Sequence, residues 1–149
     1  MDKHENFLKE LKDHIIELTN YDPSVKCRKR GYVNSRMLFC KIIDDKYHIT
    51  NNSYNYEMTS EKISNFLDNA INRTVVSRNI KEIENVFITD KVLYNIYKRL
   101  KIRMNIPTDI IDQIDALNVE KETLLSRLKF IEKDLNEKRI IRNAHFGIN

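Results

Sequence analysis

Residues 58–85 read MTSEKISNFLDNAINRTVVSRNIKEIEN. The pattern is two short helices joined by a tight bend. Thr59 is an expected N-cap, and Ile63, Phe66 and Leu67 share an apolar face at helical spacing. A polar break follows at Asp68-Asn69. Asn72 then opens a second helix, with Val76, Ile80, Ile83 and Phe87 on its apolar side. The first turns of that helix offer Arg73, Thr74, Ser77 and Arg78. A cationic, hydroxyl-bearing helix start braced by a short preceding helix has the plan of a helix-turn-helix DNA reader. A plain helical hairpin with a polar outer face gives the same pattern, and the bend lacks the glycine common in such turns.

Upstream lies DDKYHITNNSYNYE, residues 44–57. Tyr47 and Ile49 could pair with Tyr54 and Tyr56 across Asn51-Asn52, making a small hairpin within 46–57; a plain loop is the other reading. Asp44-Asp45 reads as a turn. Before it, Tyr32 to Ile43 forms a helix with Val33, Met37, Leu38, Cys40 and Ile42 on a broad buried face, and Arg36 projects from its first turns. The block Lys26-Cys27-Arg28-Lys29-Arg30 precedes this helix. Five cations and no acid stand between Ser24 and Arg36. Such a concentrated cationic loop attracts phosphate through counterion release. The chain opens with an amphipathic helix over 3–19, striped by Phe7, Leu8, Leu11, Ile15 and Leu18 and stopped by Asp22-Pro23.

Downstream, Thr89 or Asp90 caps a helix running to about Asn105, apolar at Leu93, Ile96, Tyr97, Leu100 and Met104 and basic at its far end. Ile106-Pro107-Thr108 interrupts. A heptad then holds through Ile110, Ile114, Leu117, Lys121, Leu124, Leu128, Ile131 and Leu135, with Lys121 its one polar member. With Ile114 at position a, Arg127 and Glu132, then Asp134 and Arg139, occupy g and e with opposite signs. This predicts a short two-stranded coiled coil that joins two copies of the chain. The alternatives are a helix packed back on its own domain, or a helical hairpin breaking near Asn118.

The 149 residues hold two glycines and two prolines, which disfavours turn-rich β architectures and favours helices. The expected fold is therefore all-α: a compact helix-turn-helix bundle over 1–105, followed by a long C-terminal helix over 106–149. Residues 1–105 carry 19 basic against 14 acidic side chains; residues 106–149 carry 7 against 8. No apolar run approaches the roughly 20 residues of a membrane span. Cys27 and Cys40 are expected as reduced thiols in a cytoplasmic protein. The histidines His4, His14, His48 and His145 are scattered, and no nucleophile elbow or acid pair is visible, so neither an enzyme nor a metal or organic cofactor is expected.

Basic loop and bend together resemble the carboxy-terminal DNA-binding domain of the bacterial replication initiator DnaA. The matching residues are Arg28-Lys29-Arg30, Val33-Asn34-Ser35-Arg36, Thr59 to Leu67, Asn72-Arg73-Thr74-Val75-Val76 and Ile80 to Glu84. The resemblance covers about two thirds of the chain, from about Leu8 to Leu100. The resemblance implies that the basic loop contacts the DNA backbone and minor groove while the start of the second helix reads the major groove. The family's Asp-His at the recognition helix is Asn72-Arg73 here, so its sequence preference does not carry over. No ATPase module accompanies the domain.

The expected function is sequence-selective binding of double-stranded DNA in transcription or replication, in a phage or mobile-element setting. Lys26, Arg28, Lys29, Arg30 and Arg36 would hold the backbone; Arg73, Thr74, Ser77 and Arg78 would read bases. Neither a membrane nor a small-molecule substrate is expected as partner. The alternative is a structural or adaptor protein, such as a virion or assembly component, that uses the same fold and coiled-coil tail for protein contacts.

Overall fold

The computed structural model describes residues 2–50, 57–107 and 110–146. The described residues form helices α1 (Lys3–Thr19), α2 (Arg30–Tyr47), α3 (Ser60–Phe66), α4 (Arg73–Thr89), α5 (Lys91–Arg103) and α6 (Ile110–Phe146). They fall into two compact units, residues 1–109 and 110–149.

In the first unit α2 is the central helix, packed against α1, α4 and α5. Its run Met37-Leu38-Phe39-Cys40 followed by Ile42-Ile43 is buried throughout. A helix apolar on most of its circumference belongs inside a bundle rather than on its surface. α1 contributes Leu8, Leu11 and Ile15 to the core, α4 contributes Val76, Ile80, Ile83 and Phe87, and α5 contributes Leu93, Tyr97 and Leu100. The rings of Phe39 and Phe66 stack 5.8 Å apart and tie α3 to α2.

The helix starts obey local capping rules. Thr59 accepts from the Lys62 amide, Asn72 from the Val75 amide and Asp90 from the Leu93 amide. Each satisfies an orphan donor of the first turn.

Two expectations are corrected here. Asp44-Asp45 is not a turn, because α2 continues to Tyr47, which is itself buried. A hairpin strand therefore cannot start at residue 46; residues 51–56, the remainder of the expected hairpin, lie outside the described residues. The two acids are held largely by partners outside α2 that sequence does not display. Asp44 accepts from the Thr50 amide and hydroxyl, both at 3.0 Å. Asp45 accepts the Tyr97 hydroxyl and lies 3.3 Å from Lys41 and 3.8 Å from Lys101. Lys41 also meets Glu84 at 2.8 Å, so this charged cluster links α2, α4 and α5. Its members satisfy one another, which is the condition for keeping charge at a helix junction.

The second unit is one helix of 37 residues, about 55 Å long at the standard rise of about 1.5 Å per residue. It passes Asn118 without a break, which removes the helical-hairpin alternative. Ile114, Leu117, Leu124, Leu128, Ile131 and Leu135 are exposed along it.

Candidate nucleic-acid interface

The bend between α3 and α4 is made without glycine. Asp68 and Asn69 both take left-handed backbone conformations, with φ of 53° and 59°. Asn and Asp tolerate that region better than other side chains, so they fill the place a glycine often holds. The Asn69 amide donates back to the Ser64 carbonyl at 2.9 Å, and the buried Ser64 hydroxyl donates to the Ile71 carbonyl at 2.7 Å. These bonds close the turn from inside and fix where α4 begins.

On α4, Arg73, Thr74 and Arg78 are exposed and Ser77 is half-buried. Residues 73, 77 and 81 are one turn apart, so Lys81, also exposed, continues the same face. The Thr74 hydroxyl donates to Asn72 Oδ1 at 2.6 Å. Arg78 lies 3.8 Å from Glu82, an exposed pair of little energetic weight. Asn79 turns the other way, its amide 3.9 Å from the Cys40 sulfur inside the core.

The basic loop is held from below. Asp22 accepts from the Ser24 amide at 2.8 Å and the Ser24 hydroxyl at 2.6 Å. Burial works against the Asp22 carboxylate, but those two bonds and Lys12 outweigh it and set its pKa below the ordinary value. Gly31, in the first turn of α2, is required by close approach, since a Cβ there would fall 2.3 Å from the Tyr21 ring. The ring in turn packs edge-on against Tyr32, 5.0 Å away.

Arg36 corrects the sequence reading. It is 6% exposed, and its guanidinium donates to the Val25 and Cys27 carbonyls at 2.7 Å each. It therefore clamps the loop rather than touching phosphate. Burial lowers its pKa from the usual value. The clamp draws backbone inward at residues 25 and 27 and leaves Lys26, Arg28, Lys29 and Arg30 exposed. Lys29 is the N-cap residue of α2 and Arg30 its first helical residue.

The two halves meet at a groove of about 420 Å³, lined by Lys26, Arg36, Asn69, Asn72 and Arg78 among others. One cation of the loop and one of α4 thus face the same groove, together with Asn69, Asn72 and the Glu82 carboxylate. Arg28, Lys29, Arg30, Arg73 and Thr74 are exposed nearby in sequence but do not line it. Sequence reading missed Lys81, Asn69 and Asn72 as candidate contacts. The 4-residue spacing from Ser77 could have found Lys81; the asparagines read only as a break and a cap.

Among the described residues, no three His, Cys, Asp or Glu side chains are grouped as a metal site. No described helix is long and apolar enough to cross a membrane. No family model matches this sequence, and no curated protein or solved structure matches it significantly.

Proposed function

We propose that residues 2–107 bind double-stranded DNA in a sequence-selective way, in the service of transcription or replication. The observation that carries the reading is the shared groove, in which Lys26 from the basic loop and Arg78 from α4 converge beside Asn69 and Asn72. A loop held rigid by Arg36 and an N-capped helix presenting Arg73, Thr74, Ser77, Arg78 and Lys81 form two adjacent contact elements. In this reading the loop cations hold phosphates and fix orientation, while the α4 face meets major-groove edges. The likeness of these segments to the initiator's DNA-binding domain supports the same division.

The Thr74 hydroxyl already donates its proton to Asn72, so toward a base it offers acceptor lone pairs and a methyl group. It therefore suits an amino group or a thymine methyl.

The test is anisotropy binding to duplex pools at two salt concentrations, with sequencing of the bound fraction. Arg78→Ala is expected to relax preference at one base pair by about 1–3 kcal/mol, whereas Arg30→Ala weakens all sequences alike and lowers the salt slope by about one. Uniform losses from both variants would remove α4 as the reading helix. Absence of binding at low salt would remove the DNA reading altogether.

A further inference from the structure

We infer that α6 pairs with α6 of a second copy of this chain as a parallel, in-register, two-stranded coiled coil over Ile114–Leu135. The inference is independent of DNA binding, because it uses residues of the second unit alone. Ile114, Leu117, Leu124, Leu128, Ile131 and Leu135 are each between 47% and 59% exposed on an unbroken helix. Single exposed aliphatics are ordinary on protein surfaces, but these six lie on one stripe at spacings of three and four, with Lys121 filling the one gap of seven between Leu117 and Leu124, and form a continuous seam.

The charges beside the seam identify the occupant. In a parallel pair, position g of one helix meets position e of the next heptad in the other. Arg127 then meets Glu132, and Asp134 meets Arg139, and two-fold symmetry makes four attractive contacts between chains. The antiparallel register that overlaps Leu117 with Leu135 gives the opposite result. It places Arg127 beside its own copy and Glu120 beside Asp134, all like charges. At full overlap of the seam from Leu117 to Leu135 the flanks are therefore self-complementary in the parallel orientation.

Lys121 sets the number of strands. It stands at position a, where a two-stranded coil leaves the end of the side chain open to water. Its stem can lie along the seam while the ammonium reaches Glu120 of the second copy. Three or four strands enclose that position and strand the charge. Lys138 falls at the next d position and ends the seam after Leu135.

The experiment uses the full chain with Cys27→Ser; Cys40 is fully buried and can stay. Light scattering across a concentration series is expected to give a dimer. Leu128→Asp is expected to give a monomer whose first unit stays folded, read by tyrosine fluorescence. Mild oxidation of Leu135→Cys is expected to yield a crosslinked dimer, whereas Lys133→Cys, on the outer face, yields none. Monomer at every concentration, or a trimer or tetramer, overturns the proposal. So does a dimer that crosslinks through a mixture of Leu117→Cys and Leu135→Cys chains but not through Leu135→Cys alone, since that pairing is antiparallel.

Discussion

The Arg36 guanidinium holds the Val25 and Cys27 carbonyls in place, so its removal strands two loop acceptors and empties a buried slot. Arg36→Ala is expected to cost about 2–4 kcal/mol, because bonds to a charged donor carry more weight than neutral ones. Arg30→Ala, at an exposed position, should stay within about 0.5 kcal/mol of the parent. Urea unfolding followed by tyrosine fluorescence measures both, since every tyrosine lies between residues 21 and 97. Equal midpoints for the two variants would return Arg36 to the surface. Cys40 offers a second residue-level test. Burial pushes its thiol from 9.0 up to about 12, with Asn79 and Arg36 opposing only weakly. A folded-state pKa above the unfolded one means the stabilisation is complete below pH 9.0 and is lost as pH rises toward 12. Lys41 and Tyr97 carry the same sign at higher pH. For Lys41, burial is outweighed by Glu84 and Asp45; for Tyr97, burial and the bond to Asp45 act together. Between pH 9 and 10 the thiol therefore dominates, and unfolding free energy should fall by about 1 kcal/mol. Cys40→Ala should remove most of that fall while lowering stability at neutral pH. An unchanged pH dependence in the variant would show that the thiol is not its source.

Four of the described helices end in a consistent way that follows from a chain nearly devoid of glycine. Asn20, His48 and Asn105 close α1, α2 and α5, and Asp68 and Asn69 close α3, all with positive φ. At Asp68, which is exposed, the backbone conformation is the main constraint. Asp68→Gly should match or exceed the parent by up to about 1 kcal/mol, and Asp68→Val should cost about 1–2 kcal/mol through left-handed strain. Denaturant midpoints for the pair decide it; a valine variant as stable as the glycine variant would mean the turn is not constrained there. Signals of this local kind are what made the elements legible. Thr59, Asn72 and Asp90 announced helix starts, and periodic aliphatics gave α1, α4 and α5 to within a few residues. The end of α2 was not legible, because Asp44-Asp45-Lys46 is polar and reads as a turn. Those acids are held in the helix by Thr50, Tyr97 and Lys101 from outside α2, together with Lys41 one turn earlier in the same helix. Arg36 was misread for the same reason. A sequence shows that a cation is present, while its direction depends on the carbonyls that the fold brings beneath it. The loop and turn were each legible as cationic or polar segments. Their convergence on one groove is a tertiary fact.

At the scale of the molecule the two proposals combine into a statement about avidity. Each chain carries one candidate DNA face in residues 2–107, and a parallel coil joins two such chains at the same end of α6. Binding of the first face then raises the effective concentration of the second over a neighbouring half-site. A duplex with two copies of the selected site is therefore expected to bind the parent about 10²–10⁴-fold more tightly than a duplex with one copy, provided the spacing lets both faces engage. Leu128→Asp should erase this difference while leaving affinity for the single site unchanged, because the substitution touches only α6. The same variant should also reduce the salt dependence on the two-site duplex toward that on the single site, since half of the phosphate contacts are lost. Anisotropy titrations of both proteins on both duplexes, with the half-site spacing varied in whole helical turns, make the comparison. If the variant weakens binding to the single site as well, α6 contributes to the DNA face itself. If the parent gains nothing from a second site at any spacing, pairing through α6 serves another purpose than reading DNA.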